Sequence, residues 1–188
     1  MKIKLFTYLN RVVMKRTFLI SALVLYFLTG CQDKQMKSEY EAFKAKSQTE
    51  EQNIIIVEKY FAGWNSKDLK VLDEIADPQF GMYNPSISQN PMNSEQTKTW
   101  AESIFKAFPD VKYDIKEIFA DGDKVAVWWT FTGTHQSDLW NIPATGKKVI
   151  NSAIEIYKFK DGKILEERTE IDGMSFYQQL GMEMQPKK

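Results

Sequence analysis

The chain has 188 residues, with 25 Lys and Arg against 25 Asp and Glu and a single His, a formal net charge of +0. That balance lacks the basic surplus on which phosphate contacts depend, so no nucleic-acid partner is expected. The length allows one ordinary domain, the single Cys excludes an internal disulfide, and the single His excludes a metal site built from several imidazoles, so none is expected.

In chain order, Lys15 and Arg16 precede an uncharged run over residues 17–29. A membrane-spanning helix needs about 20 apolar residues, so this shorter run reads as the core of a signal peptide covering residues 1–30. Met14-Lys15-Arg16 looks like a complete signal start, which makes residues 1–13 either an over-extended start or a long basic region. The run ends in Leu28-Thr29-Gly30-Cys31, which resembles the bacterial lipobox, in which the Cys is diacylated and becomes the mature N-terminus. What the resemblance implies is lipidation of Cys31, palmitate included, and a protein anchored to a membrane of the bacterial cell envelope with its domain outside the cytoplasm, in the periplasm for example. Two or more acyl chains give stable anchoring where one is marginal. Residues 1–30 hold Lys2, Lys4, Arg11, Lys15 and Arg16 and no acid, so the mature chain carries 20 basic residues against 25 acidic ones, a net charge of about −5.

Residues 31–49 are rich in Lys, Glu, Gln and Ser and read as a polar tether, with Ser38 and Glu41 able to cap a marginal helix. A folded domain is expected over 50–182, followed by a polar tail, 183–188. Thr49 with Gln52 forms a helix-start signal, and Val57, Tyr60, Phe61 and Trp64 fall at i, i+3, i+4 and i+7 on one buried face. Asp68 can cap a second, short helix carrying Leu69, Leu72 and Ile75, closed by Pro78. A third helix follows Asn93 or Ser94, carries Trp100, Ile104, Phe105 and Phe108, and ends before Pro109. From Val111 the period becomes two, and 111–120, 124–137, 147–160 and 163–172 are strand candidates. Asp121-Gly122 and Asp161-Gly162 are hairpin residues, so consecutive strands form an antiparallel meander, followed by a last amphipathic turn or helix over 174–180. Three helices and then a long antiparallel sheet make an α+β domain.

The order Tyr60-Phe61-Ala62-Gly63-Trp64-Asn65 with Asp68-Leu69, Phe80 through Asn84-Pro85, and Ala107-Phe108-Pro109-Asp110 resembles the SnoaL-like polyketide cyclase, or ester cyclase, group of the nuclear transport factor 2-like superfamily. Gly133-Thr134-His135, Ile142-Pro143-Ala144-Thr145-Gly146-Lys147, Glu155-Ile156-Tyr157 and Asp161-Gly162-Lys163-Ile164 strengthen the match. The resemblance implies a cone-shaped fold, in which three N-terminal helices pack on a curved antiparallel sheet and enclose a pocket, commonly in a homodimer packed through the sheet. It implies catalysis without metal or organic cofactor, by an Asp near the end of the last long strand that stabilises an enolate. In this chain that position is Asp172, with His135 from the Gly-Thr-His segment. Many relatives have His before Asn-Pro where this chain has Tyr83, and Trp where it has Arg168.

Strand parity groups Glu166, Arg168, Glu170 and Asp172 on one face and Leu165, Thr169 and Ile171 on the other, so a pocket containing Asp172 would also be lined by Arg168 and Glu170. Val125, Val127, Trp129, Phe131, Gly133 and His135 form one mostly apolar face ending in the imidazole. Trp100 and Trp129 could contact a small apolar or aromatic ligand, although by pattern they are core residues. Tyr83 and Asn84 could donate hydrogen bonds to a ligand carbonyl, although Asn84-Pro85 is also a turn signal. Two functions stay open: a lipid-anchored domain that binds a small apolar ligand, and a cofactor-independent cyclase, isomerase or hydratase using Asp172 and His135. Anchoring has a direct test: Cys31→Ser, or globomycin treatment, should shift the protein's mass and release it from membranes, whereas a variant that still fractionates with membrane contradicts lipidation.

Overall fold

Among the described residues, helical and strand periodicities give four helices and five strands. The computed structural model describes the backbone of residues 2–86 and 88–183 and the side chains of 34–86 and 88–183, so the side chains of the signal segment and of Cys31 lie outside it. Two compact units are present, Met1–Lys46 and Ser47–Lys188. Helix α1 is assigned to Lys2–Ser66. The stretch expected to be a tether therefore lies within a helix, and Thr49, expected to start one, sits inside it. The cause is composition: Glu, Lys, Gln and Ala are good helix formers, and pairs such as Gln35 and Glu39, whose side chains bond at 2.9 Å, add i,i+4 support. Among the described residues no helix is long and apolar enough to cross a membrane.

In the second unit, the end of α1 buries Val57, Tyr60, Phe61 and Trp64, the face that the spacing predicts. Helix α2 (Val71–Ile75) is short and buries Leu72 and Ile75. Asp68 does not cap it directly; its carboxylate accepts from Lys70 N in the preceding turn. Helix α3 (Ser94–Ala107) starts at Asn93, whose side chain accepts from Gln96 N while Gln96 returns the bond to Asn93 N, a complete capping box.

The sheet comprises β1 (Ala76–Tyr83), β2 (Lys112–Asp121), β3 (Lys124–Thr134), β4 (Lys148–Lys160) and β5 (Lys163–Ile171). It is curved and unclosed, in the order β1-β5-β4-β3-β2. The four predicted strands form the expected antiparallel meander. Strand β1 was not anticipated, and it pairs parallel with β5. Pro78 and Gly81 interrupt its periodicity, and an edge position, with a register shift between Ala76 and Gly81, is where a strand tolerates both. The second hairpin turns on Asp161 and Gly162, both at positive φ, whereas the first pairs Asp121 with Lys124 and turns on Gly122-Asp123, glycine first. Helix α4 (Gly173–Leu180) ends at left-handed Gly181.

The core lies between the inner face of the sheet and the helices, with Tyr60 against Tyr157, Phe61 against Trp129, and Phe108 against Phe131. Asn65 ties α1 to β2: its Nδ2 donates to Tyr113 O at 2.9 Å and its Oδ1 accepts from Tyr113 N at 2.8 Å. Just before it, Gly63 lets the α2 segment close onto α1. A Cβ at Gly63 would lie 2.9 Å from the Asp68 carbonyl oxygen and 2.6 Å from Val71 Cγ1. Helix propensity alone favours Ala over Gly by about 1 kcal/mol. The clash with backbone should win, and Gly63→Ala is expected to lower unfolding free energy by roughly 2 kcal/mol in denaturant titrations; a stabilised variant would contradict this packing.

Candidate functional site

Inward-facing residues of all five strands, with α1, α3 and α4, enclose a cavity of about 880 Å³ of empty space counting its open mouth. Its mostly apolar lining suits a small organic ligand. Phe61, Trp64, Trp100, Tyr113, Trp129, Phe131 and Phe176 supply its aromatic walls, with Met82 and Ile104 between them. Trp140 and Tyr177, both partly exposed, stand at the mouth. Trp140 has φ 53, a left-handed conformation that a bulky residue rarely adopts, inside the turn closed by Leu139 and Ile142. No Lys, Arg or His lines the cavity among the described residues.

Against this apolar surface stand Glu155 and Glu167, 6% and 2% exposed. Strand register brings them together. Glu155 lies opposite Thr169 and Tyr157 opposite Glu167, so the two carboxyl-bearing positions are diagonal neighbours on one face of the β4–β5 pair. The Tyr157 hydroxyl donates to Glu155 Oε2, and Thr169 Oγ1 donates to Glu155 Oε1 at 3.1 Å. The Trp129 indole N–H and the Tyr60 hydroxyl lie near Glu155 and Glu167 respectively, outside hydrogen-bond geometry, and Glu167 Oε2 has no partner.

Burial pushes the Glu155 carboxyl up to about 7 despite the bonds from Tyr157 and Thr169, which favour its ionised form. Burial, and then the charge of Glu155, raise Glu167 well above the ordinary carboxylate range. At neutral pH the pair therefore holds at least one proton. Tyr60, Tyr113 and Tyr157 are pushed above their ordinary value, first by burial and then by these carboxylates, and stay neutral. The wall can thus give or take a proton, or accept a hydrogen bond from a ligand, at the centre of an otherwise aromatic chamber.

Of the residues singled out from sequence, Asn84, Trp100 and Trp129 line the cavity. Asn84 is buried, and its Oδ1 accepts from Ser86 N in a turn. Asp172, His135, Tyr83, Arg168 and Glu170 are not on its wall. Asp172 is exposed and caps α4, accepting from Ser175 N at 2.9 Å. His135 does continue the inward face of β3, but it is fully buried, stacked on Phe108 with ring centroids 5.2 Å apart, and its Nδ1 is engaged by Thr145. Burial lowers its pKa. Arg168 lies over the Tyr83 ring at 4.3 Å and pairs with Glu166 on the outer face, so it does not act on Asp172. The expected grouping of β5 holds, with Thr169 and Ile171 on one face and Glu166, Arg168 and Glu170 on the other, but the face turned inward is the one without Asp172, and a register shift with β4 between Lys158 and Phe159 moves Leu165 off it. Ile164 is buried, Leu165 takes up the bulge, and Glu167, Thr169 and Ile171 point inward.

Glu155 and Glu167 were missed for a physical reason. In β4 the outer face carries Ile150, Ile154 and Ile156 with three lysines, and the buried face carries Val149, Asn151, Ala153, Tyr157 and Phe159 around Glu155, a carboxylate where the pattern calls for an apolar residue. The signal lay in the tight turn, which sets Phe159 opposite Ile164 and thereby fixes which side is core.

Both raised carboxyls make the folded state hold protons that the unfolded chain has released. Their stabilising contribution is therefore complete below an ordinary Glu pKa and is lost as pH rises, that of Glu155 as pH passes through about 7. Unfolding free energy is expected to fall by on the order of 3 kcal/mol between about pH 5 and pH 8. Combining Glu155→Gln with Glu167→Gln should flatten that decline in urea titrations; an unchanged slope contradicts the shared proton.

A family model described as SnoaL-like polyketide cyclase matches residues 54–180. Curated proteins give no match. Among solved structures, AclR from Streptomyces galilaeus, assigned as a hydroxylase, is 29% identical over 72% of this chain and 89% of its own, with a TM-score of 0.63. A protein from Acidithiobacillus ferrooxidans, assigned as a polyketide cyclase, is 26% identical over 69% and 94%, with a TM-score of 0.62. One from Jannaschia sp. CCS1, assigned as a SnoaL-like polyketide cyclase, is similar in fold, with a TM-score of 0.65 and 22% identity over 72% and 95%. The helix-lined curved sheet, its enclosed cavity and the matched span together place this chain in the SnoaL-like polyketide cyclase family.

Proposed function

We propose that the domain binds a small, largely apolar organic molecule in its aromatic cavity and exchanges a proton with it through Glu155 and Glu167. The observation that carries this reading is the pair of buried carboxyls on a wall made mostly of aromatic and aliphatic groups. A carboxylic acid held protonated near neutrality can donate to a developing oxyanion, and its ionised partner can accept a proton, so acid-base catalysis of the cyclase, isomerase or hydratase type falls to these two residues. Asp172, which caps α4, and His135, which stacks on Phe108, lie off the cavity wall, so we assign the proton exchange to the glutamates.

The anchoring proposal rests on the sequence Leu28-Thr29-Gly30-Cys31, which suits a domain tethered to a membrane of the cell envelope. A homodimer through the sheet is supported by the exposed Ile150, Ile154 and Ile156 of β4, with Trp128 paired opposite Ile154. Such a strip is an unusual surface for a monomer.

Trp64, Trp100, Trp129 and Trp140 all border the cavity, so ligand entry should change intrinsic fluorescence. Titration with one- to three-ring phenols, ketones and amines is expected to quench it saturably, and Ile104→Trp, which fills the cavity, should abolish the response; saturable binding unaffected by Ile104→Trp would place the ligand elsewhere. Sedimentation should give a dimer that Ile154→Lys converts to monomer, and an unchanged species would remove the sheet face from the interface.

A further inference from the structure

The cavity's charge pattern is one-sided. Two carboxyl groups face it, both more than nine-tenths buried, and no basic side chain balances them on its wall among the described residues. Buried carboxylates are ordinarily matched by Arg, Lys or a metal, because an uncompensated charge in a low-dielectric site is costly. Here Glu155 is met only by the hydroxyls of Tyr157 and Thr169, and Glu167 Oε2 has no partner, so the site is short of positive charge.

The surrounding rings add a second, independent preference. Trp64 meets Trp100 at 5.8 Å and 68° and Tyr113 at 5.3 Å and 59°, and Tyr113 meets Trp129 at 5.4 Å and 60°. These inclined rings pack against one another and together line the cavity. Aromatic faces attract cations, and most strongly where water is excluded. Anions are disfavoured by the same groups, and a neutral ligand gains only the burial of its surface.

Resting on the reading of the cavity as a ligand site, we infer that its ligand is an organic cation, an amine or quaternary ammonium on an apolar, ring-sized body, whose charge is met by Glu155 and Glu167 and by the faces of the surrounding tryptophans. Binding replaces the proton that the carboxyl pair otherwise holds, so that proton passes to solvent. The titratable groups facing the pair are Tyr60 from α1, Tyr113 from β2 and Tyr157 from β4, all kept neutral by burial, with Tyr177 of α4 at the mouth. The carboxyl pair itself therefore sets the pH dependence.

Calorimetry on the full chain with 4-phenylbutylamine, 4-phenylbutan-1-ol and 4-phenylbutyrate tests this. These probes share an apolar body and differ in charge, and the amine stays protonated throughout the range used. The amine is expected to bind at least tenfold more tightly than the alcohol, the carboxylate least of all. That preference should grow between about pH 6 and pH 8, and heats in two buffers of different ionisation enthalpy should report proton release. Glu167→Gln and Glu155→Gln, separately and with folding checked by melting temperature, should each reduce the preference. Alcohol or carboxylate binding as tightly as the amine overturns the inference and leaves the cavity as a ligand site. Binding of none of the three removes that reading as well.

Discussion

Two carboxyl groups buried on the wall of an aromatic cavity, with no basic side chain beside them, are the constraint around which the rest of this domain is arranged. Leaving a carboxylate in such a place is expensive, and the chain meets the expense with protons and hydroxyls instead of a counter-ion. Tyr157 and Thr169 satisfy Glu155, while Glu167 is left with an oxygen to spare. The fold supplies the geometry for this. The Asp161-Gly162 turn sets the β4–β5 register, the bulge at Leu165 turns Glu167 and Thr169 inward, and the packing of α1 brings Tyr60 against Tyr157.

A site of this kind is bought with stability. The same burial that tunes the carboxyls penalises the folded state as pH rises, and Trp140 is held at φ 53 at the cavity mouth, where glycine would rest more easily. Local rules are broken elsewhere mainly where function would want it: unpartnered indole N–H groups of Trp100 and Trp129 also sit on the cavity wall. Polar groups left unsatisfied in the middle of an otherwise well-packed core mark where a ligand's atoms belong.

Much of the architecture was legible in the chain. The buried face of α1, the start of α3 after Asn93, four strands and their order, and the inward row from Val125 to Phe131 follow from periodicity and turn chemistry. Strand β1 was hidden because Pro78 and Gly81 break its alternation, a break that only an edge strand tolerates. The site was less legible. Asp172 and His135 were singled out through the resemblance, as the Asp near the end of the last strand and the His of the Gly-Thr-His segment, and in the structure Asp172 caps a helix and His135 stacks on Phe108. Glu167 follows a one-residue bulge, which leaves little trace in composition, and Glu155 shares its face with Val149, Ala153, Tyr157 and Phe159, where a carboxylate runs against the pattern. Asn84, Trp100 and Trp129 were found because aromatic and turn residues near the cavity keep their places whichever face of β5 turns inward.

The account depends most on the claim that Glu155 and Glu167 share a proton near neutral pH. Side-chain carboxyl chemical shifts of ¹³C-labelled Glu, followed from pH 3 to pH 9 and assigned through Glu155→Gln and Glu167→Gln, measure that directly. Glu155 is expected to titrate at about 7 and Glu167 well above the ordinary carboxylate range, each moving when its partner is replaced. Two independent titrations in the ordinary range of exposed glutamates would contradict it.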